Sequence, residues 1–179
     1  QSGGNNVGFE LYSSMLNEEV GVVGEKYFYN VKFSSYLSGF IPEGYIENDF
    51  LRLSFYRRLN SVSSTTDIDN LKNEVENRFG EVPVGFLLLF DEFLIREVSA
   101  KLSLSSIIVS RYSLVVGFDG TFWGGLVDPL LEFVESFVVL NGLKYNYINK
   151  TSGCSVKLLY KGSKLLYRNV LDFLNNLEK

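Results

Sequence analysis

The sequence predicts an α+β chain: a helical linker and a helix-rich middle, followed by two small antiparallel strand pairs packed with helices. Three observations carry this reading. Apolar residues recur at helical spacing through the first half of the chain. Beyond about residue 104 short β-branched runs, such as residues 106–110 and 113–118, replace that period. Glycine and proline fall between the periodic segments rather than within them, at Gly80 to Pro83 and at Asn141-Gly142.

Taken in order, Phe9, Tyr12, Leu16 and Val20 form a helical apolar stripe ended by Gly21 and Gly24, which predicts a linker helix within residues 1–25. Residues 27–37 alternate and predict a strand. Phe40-Ile41-Pro42-Glu43-Gly44-Tyr45 reads as a turn, because Pro fixes φ and Gly accepts a positive one. Leu51, Phe55 and Leu59 predict a helix over residues 48–60, with Arg52, Arg57 and Arg58 on its other faces. The next helix is expected to be capped by Thr66 with Asp69 three residues on, and to bury Ile68, Leu71, Val75 and Phe79. Its opposite face carries Lys72, Asn73, Glu74, Asn77 and Arg78. Residues 84–101 are apolar on most sides and predict a well-buried helix, with Glu92–Arg96 and Glu97–Lys101 pairs on an exposed strip.

Residues 106–110 and 113–118 flank Arg111-Tyr112 as a hairpin, and residues 144–148 and 155–160 form a second strand pair. Pro129 sits in the first turn of a helix that runs to residue 140 and closes at Asn141-Gly142. Residues 165–177 predict a terminal amphipathic helix with Leu166, Val170, Phe173 or Leu174, and Leu177 facing in. The expected organisation is a linker over 1–25 and a C-terminal domain over 26–179, helix-rich to 104 and α/β from 105.

Composition narrows the chemistry. Of 179 residues, 46% are hydrophobic and 21% charged, which is globular composition. The absence of histidine excludes Ser-His-Asp and Cys-His nucleophile systems and His-based zinc sites. A single cysteine, Cys154, allows neither an internal disulfide nor a thiolate zinc cluster, and reads as an inert small residue. Gly117-Phe118-Asp119-Gly120 and Gly124-Gly125 lack the spacing of a phosphate-cradling loop and read as turns. Glu18-Glu19 and Asp91-Glu92 are adjacent pairs whose members diverge on a helix; Asp67 and Asp69 suit a helix start; Trp123 reads as partial core. No catalytic or metal site can be assembled from these residues.

The net charge is −4, yet from Lys144 onward seven Lys and Arg face two acidic residues, leaving that segment at +5. The plain reading is a solvated face; the alternative is a nucleic-acid-binding module using this basic segment. The longest apolar runs, such as residues 84–90, fall far short of the roughly 18–20 residues that span a bilayer, and no signal segment opens the chain. The chain starts on Gln1-Ser2-Gly3 rather than methionine, as a piece of a longer protein would.

Three ordered blocks carry a resemblance. They are Gln1-Ser2-Gly3 with Val7-Gly8-Phe9-Glu10-Leu11-Tyr12 and Met15-Leu16; Ile41-Pro42-Glu43-Gly44-Tyr45-Ile46 followed by Arg52-Leu53-Ser54-Phe55-Tyr56-Arg57-Arg58-Leu59; and Glu74, Arg78-Phe79-Gly80 and Pro83. Together they resemble the C-terminal domain of bacterial transcription-repair coupling factors (Mfd), with the linker helix after their second motor domain. The chain departs from that pattern at Glu47, where the family has proline, and at Asn77, where it has aspartate.

The resemblance implies a regulatory module rather than an enzyme. It implies a cytoplasmic parent that translocates on double-stranded DNA with ATP and Mg, displaces stalled RNA polymerase and recruits the excision-repair protein UvrA. The C-terminal domain would hold a UvrB-like module of the same parent and mask its UvrA-binding surface. Its contact residues would be Glu74, Asn77 and Arg78, and Gln1 would be a remnant of the translocation motif. No cofactor is expected in this fragment, since the motor's nucleotide loops lie outside it.

Overall fold

The computed structural model describes residues 31–178. The expected linker helix, Gln1 and the first part of the 27–37 strand lie outside the described residues. The described residues divide into two compact units: 38–94, and 31–37 with 95–178. That division differs from the expected change of character at 104/105. It falls inside one continuous helix, and it gives the early strand to the second unit.

The first unit is helical. Helix α1 (Asp49–Ser61) starts where the Asn48 side chain accepts the Leu51 N–H at 2.9 Å. Helix α2 (Thr65–Phe79) is capped by Ser64, not by Thr66 as the sequence suggested. Ser64 Oγ accepts from Asp67 N at 3.2 Å and Asp67 Oδ2 accepts from Ser63 N at 3.2 Å, so the capping box sits two residues earlier than expected. Helix α3 (Val84–Lys101) matches the expected span and carries residues of both units.

The core joins Ile41, Ile46, Phe55, Leu59, Ile68, Leu71, Val75, Phe86 and Leu89. Rings tile it, with Phe55 at 5.9 Å from Phe79 and 6.5 Å from Phe86, and Phe86 stacked on Phe90 at 4.8 Å. Segment 38–41 lies tight on α3: Phe40 N–H donates to Gly85 O at 2.9 Å, and a Cβ on Gly39 would meet the Leu89 nitrogen at 2.7 Å. A larger residue at either glycine would push the segment off the helix.

Two expectations about this unit are corrected. Phe79 is half-buried rather than enclosed, because it closes the stripe at the helix end where the chain turns away at Gly80. Arg52 is buried rather than on an outer face: it donates to Ile46 O at 2.8 Å and to Asp49 Oδ1 at 2.6 Å. A guanidinium can be taken inside only when its donors are met, and here a turn carbonyl and a first-turn carboxylate meet them.

The second unit is built on a five-stranded sheet. Its strands are β1 (Lys32–Ser35), β2 (Leu104–Val109), β3 (Ser113–Asp119), β4 (Lys144–Lys150) and β5 (Gly153–Leu159), in spatial order β1-β2-β3-β5-β4. The two expected hairpins are present, and the structure joins them through antiparallel β3–β5 pairing. Strand β1 adds in parallel to β2, opposite residues 106–109. A parallel neighbour demands a long crossover, which residues 36–103 provide.

Helix α4 (Gly120–Trp123), α5 (Val127–Asn141) and α6 (Tyr167–Glu178) complete the unit. Gly117 and Phe118 prove to be strand rather than turn, and Asp119 caps α4 by accepting from Thr121 N at 2.7 Å. Gly142 closes α5 in the left-handed conformation at φ 62°. On α6 the inward residues are Tyr167, Val170, Phe173 and Leu174, with Leu166 exposed, so the buried arc sits one position later than the sequence suggested at its start. Trp123 is buried and donates to Leu102 O at 2.7 Å.

One face of the sheet meets the helices: Tyr145 on β4 donates to Glu135 of α5 at 3.0 Å, and Phe33 on β1 meets Tyr167 of α6 at 6.0 Å. Strand alternation sends Lys144, Asn146, Lys157 and Ile108 to the opposite face. No described helix is long and apolar enough to cross a membrane.

Candidate functional site

Glu74 and Arg78 lie at the edge of the buried stripe of α2, Arg78 against the Phe55 and Phe79 rings, rather than on the opposite face that the sequence suggested; Asn77 is exposed farther round the helix. Residues four apart on a helix are neighbours, and Arg78 Nη1 reaches Glu74 Oε1 at 3.1 Å. The partner that sequence reasoning missed is Arg58, at the end of α1. Its Nη1 donates to Glu74 Oε1 at 2.8 Å and its Nη2 to Oε2, a two-pronged grip across the two helices. Arg58 escaped notice because its partner lies sixteen residues away on another helix. The only available signal was a basic residue in the last turn of α1, which explains itself equally well as a helix-end charge.

The bridge stands on a floor of rings. The Phe55 ring centroid lies 5.2 Å below the Arg58 guanidinium and 5.6 Å from that of Arg78, and Phe79 lies 5.1 Å from Arg78. Two cations held over these rings lose rotamer freedom before any partner arrives. The grip of Arg58, with that of Arg78, holds the Glu74 carboxyl down at about 2. Its own pairing raises the Arg58 guanidinium above its usual value. Glu74 and Arg58 stay ionised across neutral pH, and all three side chains remain partly exposed. Asn77 is exposed beside them.

A cleft of about 370 Å³ opens next to the bridge, lined by Arg58, Ser61, Val62, Asp67, Asn70, Leu71 and Glu74. Apolar Val62 and Leu71 are ringed there by charged and amide groups. A second cleft, of about 700 Å³, lies in the other unit and includes Gly120, Gly124, Tyr147, Lys150 and Cys154. Its glycines serve packing: Gly153 holds φ at 148°, and a Cβ there would meet Phe118 O at 2.1 Å. Cys154 is buried, which pushes its thiol up. Among the described residues no three Cys, Asp or Glu side chains converge as metal ligands would.

A helical unit with a charged bridge between two helices, and a unit built on a five-stranded mixed sheet, make up an α+β chain in which residues 36–121 match the model of the TRCF domain. The chain belongs to the transcription-repair coupling factor family, in its C-terminal part. The transcription-repair-coupling factor of Rickettsia prowazekii (strain Madrid E) is 28% identical over 178 residues, which is 96% of this chain and 15% of that protein. That of Rickettsia bellii (strain RML369-C) is 30% identical over 137 residues, 73% of this chain and 12% of the relative. The chain thus spans a small fraction of the length of these relatives. A crystal structure of the C-terminal domain of transcription-repair coupling factor shares the fold at a TM-score of 0.70 and 15% identity, over 83% of this chain and 92% of that one.

Proposed function

We propose that this domain is the autoinhibitory clamp of a transcription-repair coupling factor: it holds a UvrB-like module of its parent and masks the surface that binds UvrA. The observation that carries the reading is the partly exposed Arg58–Glu74–Arg78 bridge, fixed over Phe55 and Phe79. A releasable clamp needs a surface that is soluble when open and specific when closed, and ordered charged groups answer both needs. Asn77 and the outer edge of Arg78 would meet the partner, and the adjacent cleft would take a partner side chain. Arg58 would keep Glu74 aligned. The parent would be a cytoplasmic, ATP- and Mg-dependent translocase on double-stranded DNA that meets stalled RNA polymerase. This chain would need no cofactor of its own.

The test uses the full parent protein. A double reversal of Glu74 and Arg78 is a poor probe, because a new arginine at 74 would face Arg58 inside the domain. Arg78→Gln keeps the Arg58–Glu74 grip and removes only the outer charge, with no carboxylate set against Glu74. Loss of about 2–3 kcal/mol across the closed contact shifts the population toward the open form by roughly 30–150-fold. The variant should then bind UvrA without polymerase while the domain keeps its melting temperature. Unchanged UvrA binding at an unchanged melting temperature would sink the clamp at this face.

A further inference from the structure

The two units carry opposite charge. Residues 38–94 hold five Lys and Arg against ten Asp and Glu, a net of −5; residues 27–37 with 95–179 hold eleven against seven, a net of +4. The excess gathers at one corner of the sheet. Arg111 occupies the two-residue turn between β2 and β3, where Ser110 N–H donates to Ser113 O at 2.9 Å. The segment after β5 is tied beside that turn, since Tyr160 N–H donates to Tyr112 O at 2.8 Å and Leu165 N–H to Arg111 O at 2.7 Å. Lys161 and Lys164 are thereby held next to Arg111, and both are exposed. In the β4–β5 register Lys144 opposes Leu159 and Asn146 opposes Lys157, so Lys144 and Lys157 leave the face opposite α5 and α6 as diagonal neighbours about 7–8 Å apart. Among the described residues none of these five cations forms an ion pair.

We propose that this corner, formed by Arg111, Lys144, Lys157, Lys161 and Lys164, docks on the phosphate backbone of double-stranded DNA. Five unpaired cations on one surface repel one another unless a polyanion approaches, so their charge is complementary to such a partner. Four of the five are lysines, which are depleted in protein interfaces but hold phosphates well as point charges. The strands of this face carry small residues such as Ser106 and Ser113 and no aromatic ring. The exposed Tyr112 beside Arg111 is a single ring, not the row of rings on which successive unpaired bases stack, which favours the duplex over a single strand.

Fluorescence anisotropy of the whole 179-residue chain with a labelled duplex of arbitrary sequence tests this. Between about 50 and 200 mM salt, log K should fall against log salt with a slope of about −4 to −5 for five contacts. Lys144→Gln with Lys157→Gln should reduce that slope by about two and weaken every duplex alike, at an unchanged melting temperature. Lys72→Gln, in the other unit, should leave binding as it is. The proposal is overturned if no duplex binds at the lowest salt, or if the double variant keeps the parent slope. It is equally overturned if polyglutamate or single-stranded DNA displaces the duplex at lower concentration than duplex itself does.

Discussion

In residues 38–94 Arg52, Arg58 and Arg78 each reach a carboxylate, whereas in the sheet unit Arg111, Lys144, Lys157, Lys161 and Lys164 reach none. The contrast follows from architecture. Helices packed on a ring-filled core bring side chains of separate turns edge to edge, so charges distant in sequence meet and a guanidinium can lie flat on a ring. An open sheet face sets its side chains on strands about 4.8 Å apart and points them at solvent, where like charges are tolerated. Paired charges give a surface defined geometry. Unpaired ones give it a field that extends into solvent, within a Debye length of roughly 8–10 Å.

The largest expected effect tests the floor beneath the paired charges. Phe55 is fully buried and lies under both guanidinium groups, so Phe55→Ala should cost about 3–5 kcal/mol. It should also raise the Glu74 carboxyl by loosening both arginines. Urea unfolding, read beside the Glu74 carbon shift, checks the two together; a loss below about 1 kcal/mol would mean the rings do not support the bridge.

Next comes the buried arginine. Arg52→Met keeps most of the side-chain volume but strands the Ile46 carbonyl, which should cost about 1–3 kcal/mol. A neutral or stabilising result in the same urea measurement would show that this pairing is dispensable.

Smaller still is the bridge itself. Glu74 has a folded value of about 2 against 4.5 for the free group, so the folded state takes up the proton less readily than the unfolded chain. Its contribution is complete above about pH 4.5 and is lost as pH falls through about 2. Glu74→Gln should flatten stability against pH in that window, and at neutral pH cost under about 1 kcal/mol because the bridge is half exposed. An unaltered acid limb in thermal melts would show that Glu74 is not the titrating group.

The smallest effect belongs to the sheet. With no partner to lose, Lys157→Gln should change stability by no more than about 0.5 kcal/mol in either direction. A larger loss would reveal a hidden role in the fold and erase the contrast between the units.

Much of this was legible from local pattern. The α3 span, the Arg111-Tyr112 hairpin and the Asn141-Gly142 stop follow from periodicity and turn chemistry that act within a few residues. The Ser64 cap was missed because Ser63-Ser64-Thr65-Thr66 offers several hydroxyls in a row, and only the path of the chain picks one. At the candidate site, the Glu74–Arg78 pair was visible as an i,i+4 spacing. Arg58 was not, since neither the crossing of α1 and α2 nor the ring between them is encoded at a fixed separation.

By itself, then, the sequence determined the element types, most helix stops, the apolar stripes and the absence of histidine chemistry, because each depends on neighbouring residues or on composition alone. Tertiary structure decided that two hairpins and a distant β1 share one sheet, that Arg52 goes inside, that Arg58 closes on Glu74, and that five scattered cations face one corner. Those outcomes rest on contacts between segments far apart in the chain. Their energy is collected only when both surfaces are already formed, and no local spacing foretells which surfaces will meet.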